Sequence, residues 1–282
     1  MKNLKIWFCD FWDGYNPKSN YFTIILNNYY NLIFDEHNPD ILIYSVFGSS
    51  FKKYNCIKIF YSGENIAPNY NECNYSLCYD FINDERHFRL PLFLLYGGYY
   101  DLLNRVPIDN EFLNRNFCNF IVSNGSCKIR NDFFHKLNEY KKVDSGGRYL
   151  NNIGYNIDNK LEFQKKYKFS LCFENDLYRK NKNGIYGYTT EKILDAYKSY
   201  TIPIYWGNPK IYLDFNKESM ISYYDFNNID NMIDYIIKVD NNDELYLDIL
   251  NKNPLPNSNI PNDLLEENIK NFLVDKINKH II

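Results

Sequence analysis

Two kinds of hydrophobic pattern alternate along the chain. Short, continuous apolar runs rich in β-branched and aromatic residues, as in residues 41–47 and 57–61, indicate buried strands. Segments in which apolar residues recur at helical spacing, as in residues 131–142, indicate helices with one buried face. Because the two kinds of segment alternate, the pattern predicts an α/β fold built on parallel sheets.

The predicted elements form two domains and a terminal helix. In the first domain, residues 1–105, we predict strands over residues 4–9, 41–47, 57–61 and 75–79 and a helix over residues 19–30. In the second, residues 106–262, we predict strands over residues 117–123, 169–173, 202–206 and 220–224 and helices over residues 131–142, 158–167, 189–200, 229–239 and 243–251. Residues 104–115 form the predicted linker, and residues 263–282 a C-terminal helix that packs on the core.

The most informative stretch is one strand, loop, helix and strand unit. A buried strand (169–173) precedes a polar, glycine-containing loop (174–188), a helix capped by Thr189 or Thr190, and a second strand (202–206). This order predicts a parallel strand pair with a right-handed crossover. In open α/β sheets, ligands bind beyond the carboxyl ends of strands, near helix N-termini that suit phosphate.

A lysine stands in the first turn of that predicted helix. Cations are unfavourable at a helix N-terminus, so Lys192 predicts an anion nearby. Its neighbour Glu191 has an ordinary explanation, because an acid in the first turn interacts favourably with the helix dipole.

Composition and charge narrow the function classes. The 282 residues, 45% of them hydrophobic, are enough for two packed domains. A net charge of −3 argues against nucleic acid as the main partner, since phosphate binding needs a basic face. The seven cysteines include no C-x-x-C pair and the four histidines are scattered, so we expect reduced thiols, a cytoplasmic protein and no metal site. The amino-terminal residues resemble neither a signal peptide nor a transmembrane segment.

Three segments of the informative unit carry a resemblance to a known family. Residues 173–175 (FEN), 188–193 (YTTEKI) and 202–207 (IPIYWG) resemble the signature of the bacterial α1,3-fucosyltransferases, glycosyltransferase family 10. The resemblance extends over about residues 5–255. It implies a GT-B fold, in which two Rossmann-like domains face a cleft. It also implies that the first domain holds the acceptor and the second holds GDP-fucose, the donor substrate, without a metal or other cofactor.

The resemblance also names donor-binding residues. It assigns Asn175, Tyr188, Glu191 and Lys192 to the donor site. It adds Arg130, because residues 123–130 resemble the family's Ser-Asn-x-x-x-x-x-Arg pattern, whose arginine contacts the donor diphosphate. Taken alone, Arg130 is also compatible with a solvated surface arginine. Lys128 and Arg148 are weaker alternatives for the same role.

Glu64 is the candidate general base. It follows the strand ending at Tyr61, and loops at the carboxyl ends of strands line ligand sites. Its Gly-Glu-Asn context resembles that of the family's proposed base. By itself the residue is also compatible with a capping or solvated loop acid, and Glu174 and Glu191 are rivals for the role. Gly63 is expected to permit a tight turn.

One departure from the family pattern lies between Asn175 and Tyr188. Residues 177–185, with Arg179, Lys180 and Lys182, resemble an insertion relative to the bacterial enzymes. The insertion weakens the assignment of Asn175, and it is either a mobile lid or a tolerated surface loop.

The resemblance implies an inverting α1,3-fucosyltransferase that acts without a metal. Its expected acceptor is N-acetylglucosamine in an N-acetyllactosamine-type oligosaccharide, as in Lewis antigens and lipopolysaccharide. A peripheral position at the inner membrane is left open. The alternatives are transfer from another sugar nucleotide, an α1,4 linkage, or a catalytically silent glycan-binding protein.

Overall fold

The computed structural model describes residues 1–175 and 187–281, which divide into two compact units. The first contains residues 1–95 and 262–281, and the second contains residues 96–175 and 187–261. The predicted first domain extended to residue 105, whereas residues 96–105 belong to the second unit. Tyr99 fixes them there, because its hydroxyl donates to the carbonyl oxygen of Asp214 at 2.6 Å and its ring packs edge-on against Phe215.

The first unit is organised by a parallel sheet. Its strands are β1 (Lys2–Cys9), β2 (Tyr30–Phe34), β3 (Ile41–Tyr44), β4 (Ile57–Ser62), β5 (Tyr75–Cys78) and β6 (His87–Arg89). They pair in parallel in the order β2-β1-β3-β4-β5-β6. Every residue of β3 and β5 is buried, as expected for strands covered on both faces.

The second unit contains its own parallel sheet. Its strands are β7 (Asn116–Phe120), β8 (Val143–Ser145), β9 (Tyr167–Phe173), β10 (Ile202–Trp206) and β11 (Ile221–Ser222). They pair in parallel in the order β11-β10-β9-β7-β8, and β9 and β10 are buried along their whole length. The predicted α/β class with two parallel sheets is confirmed.

Four of the described α-helices are shorter than the segments predicted for them. They are α1 (Tyr21–Leu26), α2 (Lys128–Tyr140), α3 (Lys160–Gln164), α4 (Lys192–Lys198), α5 (Ile229–Asp240), α6 (Asp243–Asn251) and α7 (Glu266–Asn278). The helix predicted over residues 19–30 is wrong at its carboxyl end. It stops at Leu26, before Asn27 and Asn28, which are weak helix formers, and Tyr30 already begins β2.

The sequence patterns missed three strands. Only Tyr30 in β2 is fully buried and the rest of that strand is partly or largely exposed, so no continuous apolar run marks it. Strands β6 and β8 have three residues each, too few to show a period.

The C-terminal helix α7 belongs to the first unit. Ile269, Leu273 and Ile277 are completely buried, and the hydroxyl of Tyr30 donates to Asn278 Oδ1 at 3.0 Å. The predicted packing of this helix on the protein's own core is therefore observed. Across residues 1–175 and 187–281, no helix combines the length and the apolar character needed to cross a bilayer.

Candidate active site

The predicted donor residues of the second unit surround the carboxyl ends of β9 and β10. Phe173 pairs with Trp206 at the last register position, and the backbone N–H of Glu174 donates to the Trp206 carbonyl at 2.8 Å. The residues that follow the two strands therefore emerge side by side. A Cβ on Gly207 would lie 2.6 Å from Glu174 Cγ and from the hydroxyl of Tyr205, so the close approach requires glycine.

A buried carboxylate ties the end of β9 to the start of α4. The Glu174 side chain is 0% exposed, and its Oε1 accepts from the backbone N–H of Thr190 at 2.7 Å. The Thr190 hydroxyl lies 2.8 Å from Oε2, and Lys192 Nζ donates to the same Oε2 at 3.0 Å and to Thr190 Oγ1 at 2.9 Å. Glu174 thus supplies the anion that Lys192 was predicted to need.

The predicted threonine cap is wrong. Glu191 occupies the N-cap position of α4 and no side chain caps the helix, because the Thr190 hydroxyl is engaged by Glu174. Burial alone lowers the pKa of Lys192, but the attraction of Glu174 and then of Glu191 outweighs it, so the pKa is raised. Lys192 therefore carries its charge at neutral pH.

Arg130 lies in the first turn of α2 and is 1% exposed. Its Nη2 donates to Asn175 Oδ1 at 3.1 Å and to the carbonyl oxygen of Asn124. The alternative of a solvated surface arginine is therefore wrong. Burial lowers the pKa of the guanidinium. Electrostatic interactions with neighbours that include Glu174 and Tyr188 oppose this effect but do not outweigh it. Tyr188, which interacts electrostatically with Arg130, is itself buried.

Glu191 has a partner that sequence reasoning missed. Lys160, the first residue of α3, places Nζ 3.6 Å from Glu191 Oε1 and 2.7 Å from Asp195 Oδ2. Burial raises the pKa of Glu191, but the attraction of Lys192 and Lys160 dominates and lowers it. A signal for Lys160 was present, since it is a second cation in the first turn of a helix.

Asn208 lies two residues after β10 and was not among the predicted site residues. Its backbone N–H donates to the Tyr205 hydroxyl at 2.9 Å, and its side-chain Nδ2 donates to Thr189 Oγ1 at 3.2 Å. The loop after β10 is thereby attached to the segment that leads into α4. The weaker cation candidates lie at the surface: Lys128 pairs with Asp132, and Arg148 is exposed.

Glu64 lies in the first unit, immediately after β4. Its backbone N–H donates to Ser62 Oγ at 3.1 Å, and the Ser62 hydroxyl donates to the Glu64 carbonyl oxygen at 2.7 Å. The glutamate is exposed and caps no helix. Gly63 does not have a positive φ; a Cβ there would lie 2.7 Å from Leu92 Cδ1, so close packing rather than a tight turn requires glycine. The role of Glu64 as base stays a prediction.

Two further predictions concern the loop and a metal. The insertion predicted at residues 177–185 lies outside the described residues. Within residues 1–175 and 187–281, no group of three or more His, Cys, Asp or Glu side chains is arranged to hold a metal ion.

The cluster in the second unit has the composition of an anion-binding site. Arg130 and Lys192 provide two cations near the carboxyl edge of the sheet, and Glu174 holds Lys192 in place, while Lys160 is paired with Asp195 and Glu191. Fixed cations of this kind stabilise negative charge that develops on a leaving group.

Comparisons with known proteins agree with this geometry. The model of the Alpha-(1,3)-fucosyltransferase FucT N-terminal domain matches residues 6–96, and that of the Glycosyltransferase family 10 (fucosyltransferase) C-term matches residues 114–251. The chain is 35% identical to the Alpha-(1,3)-fucosyltransferase FucT of Helicobacter pylori, over 84% of this chain and 57% of that protein. This chain therefore spans little more than half the length of that relative.

Solved structures extend the similarity to the whole chain. A crystal structure of α1,3-fucosyltransferase with GDP matches with a TM-score of 0.84 and 31% identity, over 100% of this chain and 92% of that one. A second, with GDP-fucose, matches with a TM-score of 0.83 and 30% identity, over 100% and 93% of the two chains. These matches place the protein among the glycosyltransferases. More narrowly, the chain belongs to glycosyltransferase family 10, the fucosyltransferases, so the predicted family and the GT-B fold class are confirmed.

Proposed function

We propose that the protein transfers fucose from GDP-fucose to N-acetylglucosamine of an N-acetyllactosamine-type glycan, forming an α1,3 linkage with inversion at the anomeric carbon. The observation that carries the proposal is the cluster of Arg130, Asn175 and Lys192, held by buried contacts in a chain of the fucosyltransferase family. Its similarity to a fucosyltransferase solved with GDP-fucose supports the choice of donor.

The reaction requires stabilisation of the leaving diphosphate. When the bond between fucose and GDP breaks, negative charge increases on the diphosphate oxygens. Arg130 and Lys192 are the side chains proposed to neutralise it, and a charge-assisted hydrogen bond contributes about 1.5–3 kcal/mol. Asn175 accepts from Arg130 and so orients the guanidinium, while Tyr188 and Glu191 are proposed to contact the donor. No metal or further cofactor enters this scheme.

The acceptor hydroxyl must lose its proton as it attacks. Glu64 is proposed as the base, because its exposed carboxylate follows the last residue of a parallel strand. The hydroxyl oxygen attacks the anomeric carbon opposite to GDP, so the new bond forms on the other face and the configuration inverts. The proton passes to Glu64 and GDP departs.

Purified protein tests this proposal directly. We expect GDP release from GDP-fucose to increase when N-acetyllactosamine is added, and mass spectrometry and NMR to show one fucose linked α1,3. EDTA should leave the rate unchanged. An α1,4-linked product would contradict the proposed linkage, and turnover only with another sugar nucleotide would contradict the proposed donor. Glycan binding without any GDP release would favour the silent glycan-binding alternative, and a rate abolished by EDTA and restored by a divalent ion would contradict the metal-free scheme.

A further inference from the structure

The buried carboxylate of Glu174 lies close to the proposed site of the donor diphosphate, where a second negative charge is electrostatically unfavourable. A diphosphate brings negative charge to the cluster of Arg130 and Lys192, and Glu174 repels it. Nevertheless the Glu174 side chain is 0% exposed and reaches Lys192 at 3.0 Å. A buried carboxylate in an anion site requires a compensating role.

Within residues 1–175 and 187–281, the hydrogen bonds of the Glu174 side chain go to the start of α4. They come from the backbone N–H and the hydroxyl of Thr190 and from Lys192 Nζ. The lysine side chain is flexible, with a charge at the end of a four-carbon stem. Here the ammonium is held between Glu174 Oε2 and Thr190 Oγ1, and its side chain is only 18% exposed. Since an ammonium has three N–H donors, these two contacts leave one for a ligand.

We propose that Glu174 is a positioning residue, which holds the ammonium of Lys192 in place for the donor diphosphate, both directly and through the hydroxyl of Thr190. This inference rests on the proposed function of the site. Glu174 does not contact the reacting atoms; it acts through Lys192.

The charges around Lys192 support this role. Glu174 and Glu191 attract the ammonium, whereas Lys160 repels it. Two other titratable groups lie near, the thiol of Cys172, whose Sγ donates to the Lys192 carbonyl oxygen, and the phenol of Tyr96; burial raises the pKa of both. Both are therefore neutral near pH 7, and removing the charge of Glu174 removes the larger of the two attractions that oppose the effect of burial. The pKa of Lys192 would then fall.

The decisive variant is Glu174→Gln, which keeps the size and one acceptor oxygen but removes the charge. GDP dissociation constants would be measured by calorimetry between pH 6 and 10 for the native protein and the variant. We expect affinity for GDP to fall about tenfold near neutral pH, as for the loss of one charge-assisted contact. We also expect the alkaline loss of GDP affinity to begin at least one pH unit lower in the variant.

Asp240→Asn is the matched control. Asp240 is another buried carboxylate of the second unit, and it pairs with Lys141 at 2.9 Å and Lys168 at 3.6 Å. Its replacement should lower the melting temperature without moving the pH dependence of GDP binding. If both variants weaken GDP binding equally, with no shift along the pH axis, Glu174 has only a structural role and the inference is wrong.

A double-mutant cycle with Lys192→Met provides a second test. If Glu174 acts through Lys192, Glu174→Gln should have no further weakening effect on GDP binding in the Lys192→Met background. Additive losses would overturn the inference. Should Glu174→Gln fail to fold, Glu174→Asp retains the charge but withdraws it by one methylene, and native GDP affinity in that variant would also overturn it.

The outcome for the native protein separates the two proposals. If the native chain binds no GDP, the proposed function fails and the inference with it. If the native chain binds GDP and the variants behave like it, only the role of Glu174 is lost.

Discussion

Replacing Arg130 by alanine tests the central assignment of the donor site. The change removes a guanidinium that is 1% exposed and donates to Asn175 Oδ1 and to the Asn124 carbonyl oxygen. Both hydrogen bonds are partly buried, and losing this donor costs about 1 kcal/mol for each. We therefore expect the free energy of unfolding to fall by about 2 kcal/mol, and the melting temperature by about 4–8 °C.

Arg130→Ala should also weaken GDP binding, by more than the loss of stability explains. The removed contact to a diphosphate is charge-assisted and contributes about 1.5–3 kcal/mol. The dissociation constant for GDP should therefore rise about 10- to 150-fold. Arg130→Lys should recover part of the affinity, because it keeps the charge but loses the planar fork that bonds to two oxygens at once.

Calorimetry with GDP, performed well below the melting temperature of each variant, gives the required comparison. Lys128→Ala is the control, since Lys128 lies two residues earlier on the same helix, is 85% exposed and pairs with Asp132. It should bind GDP like the native protein. A folded Arg130→Ala variant with native GDP affinity would refute the assignment and leave Arg130 as a structural residue of the second unit.

Three further predictions test other residues. Glu64→Gln should slow fucose transfer by about 10²–10⁴-fold, with the GDP dissociation constant and melting temperature unchanged, because it removes the proposed proton acceptor but no buried contact. Native turnover at saturating acceptor would place the base elsewhere, and Glu191 would be tested next, since the Glu174 side chain is 0% exposed. Lys160→Met should raise the KM for GDP-fucose by about 2- to 10-fold while GDP itself binds normally, because Lys160 lies 3.6 Å from Glu191 and orients it. A parallel loss of GDP affinity would show that Lys160 does not act through Glu191 alone. Asp80→Asn should make the first unit lose stability more steeply between pH 6.5 and 4, as urea unfolding at a series of pH values would show. Burial lowers the pKa of His87 from 6.5 to about 4, so its stabilising contribution is lost as the pH falls through this range. Burial raises the pKa of Asp80 from 3.8 to about 6, so protonation of Asp80 adds about 3 kcal/mol to the free energy of unfolding as the pH falls over much of the same range. If the free energy of unfolding of the variant and of the native protein falls equally steeply with pH, Asp80 does not compensate for His87.

The parts of the fold that the sequence predicts well are those in which burial is continuous. Strands β9 and β10 are buried on both faces, so their apolar runs stand out from the flanking polar loops. Strand β2 is mostly exposed and could not be separated from the helix before it. Residues 96–105 are attached to the second unit by tertiary contacts such as those of Tyr99 with Asp214 and Phe215, and no periodic pattern encodes such contacts.

For the site, sequence motifs predicted which residues lie together but not how they are held. Arg130 and Asn175 are 45 residues apart in the chain, and only the resemblance to a family pattern connects them. The pairing of Glu174 with Lys192 and of Lys160 with Glu191 depends on tertiary geometry. Thr190 shows the difficulty, because a threonine before a helix usually indicates a cap, whereas here its hydroxyl contacts a carboxylate from another strand.

The two lysines at helix starts are stabilised in the same way. Lys160 and Lys192 are each the first residue of a short helix, where the local backbone disfavours a cation. Each is compensated by a carboxylate from elsewhere in the second unit, Asp195 at 2.7 Å for Lys160 and Glu174 at 3.0 Å for Lys192. The carboxylate partners differ in exposure, since the Asp195 side chain is 10% exposed and that of Glu174 is 0% exposed. A locally unfavourable cation at a helix start is therefore informative about tertiary structure, because it predicts an acidic partner from elsewhere in the fold, as Asp195 and Glu174 show.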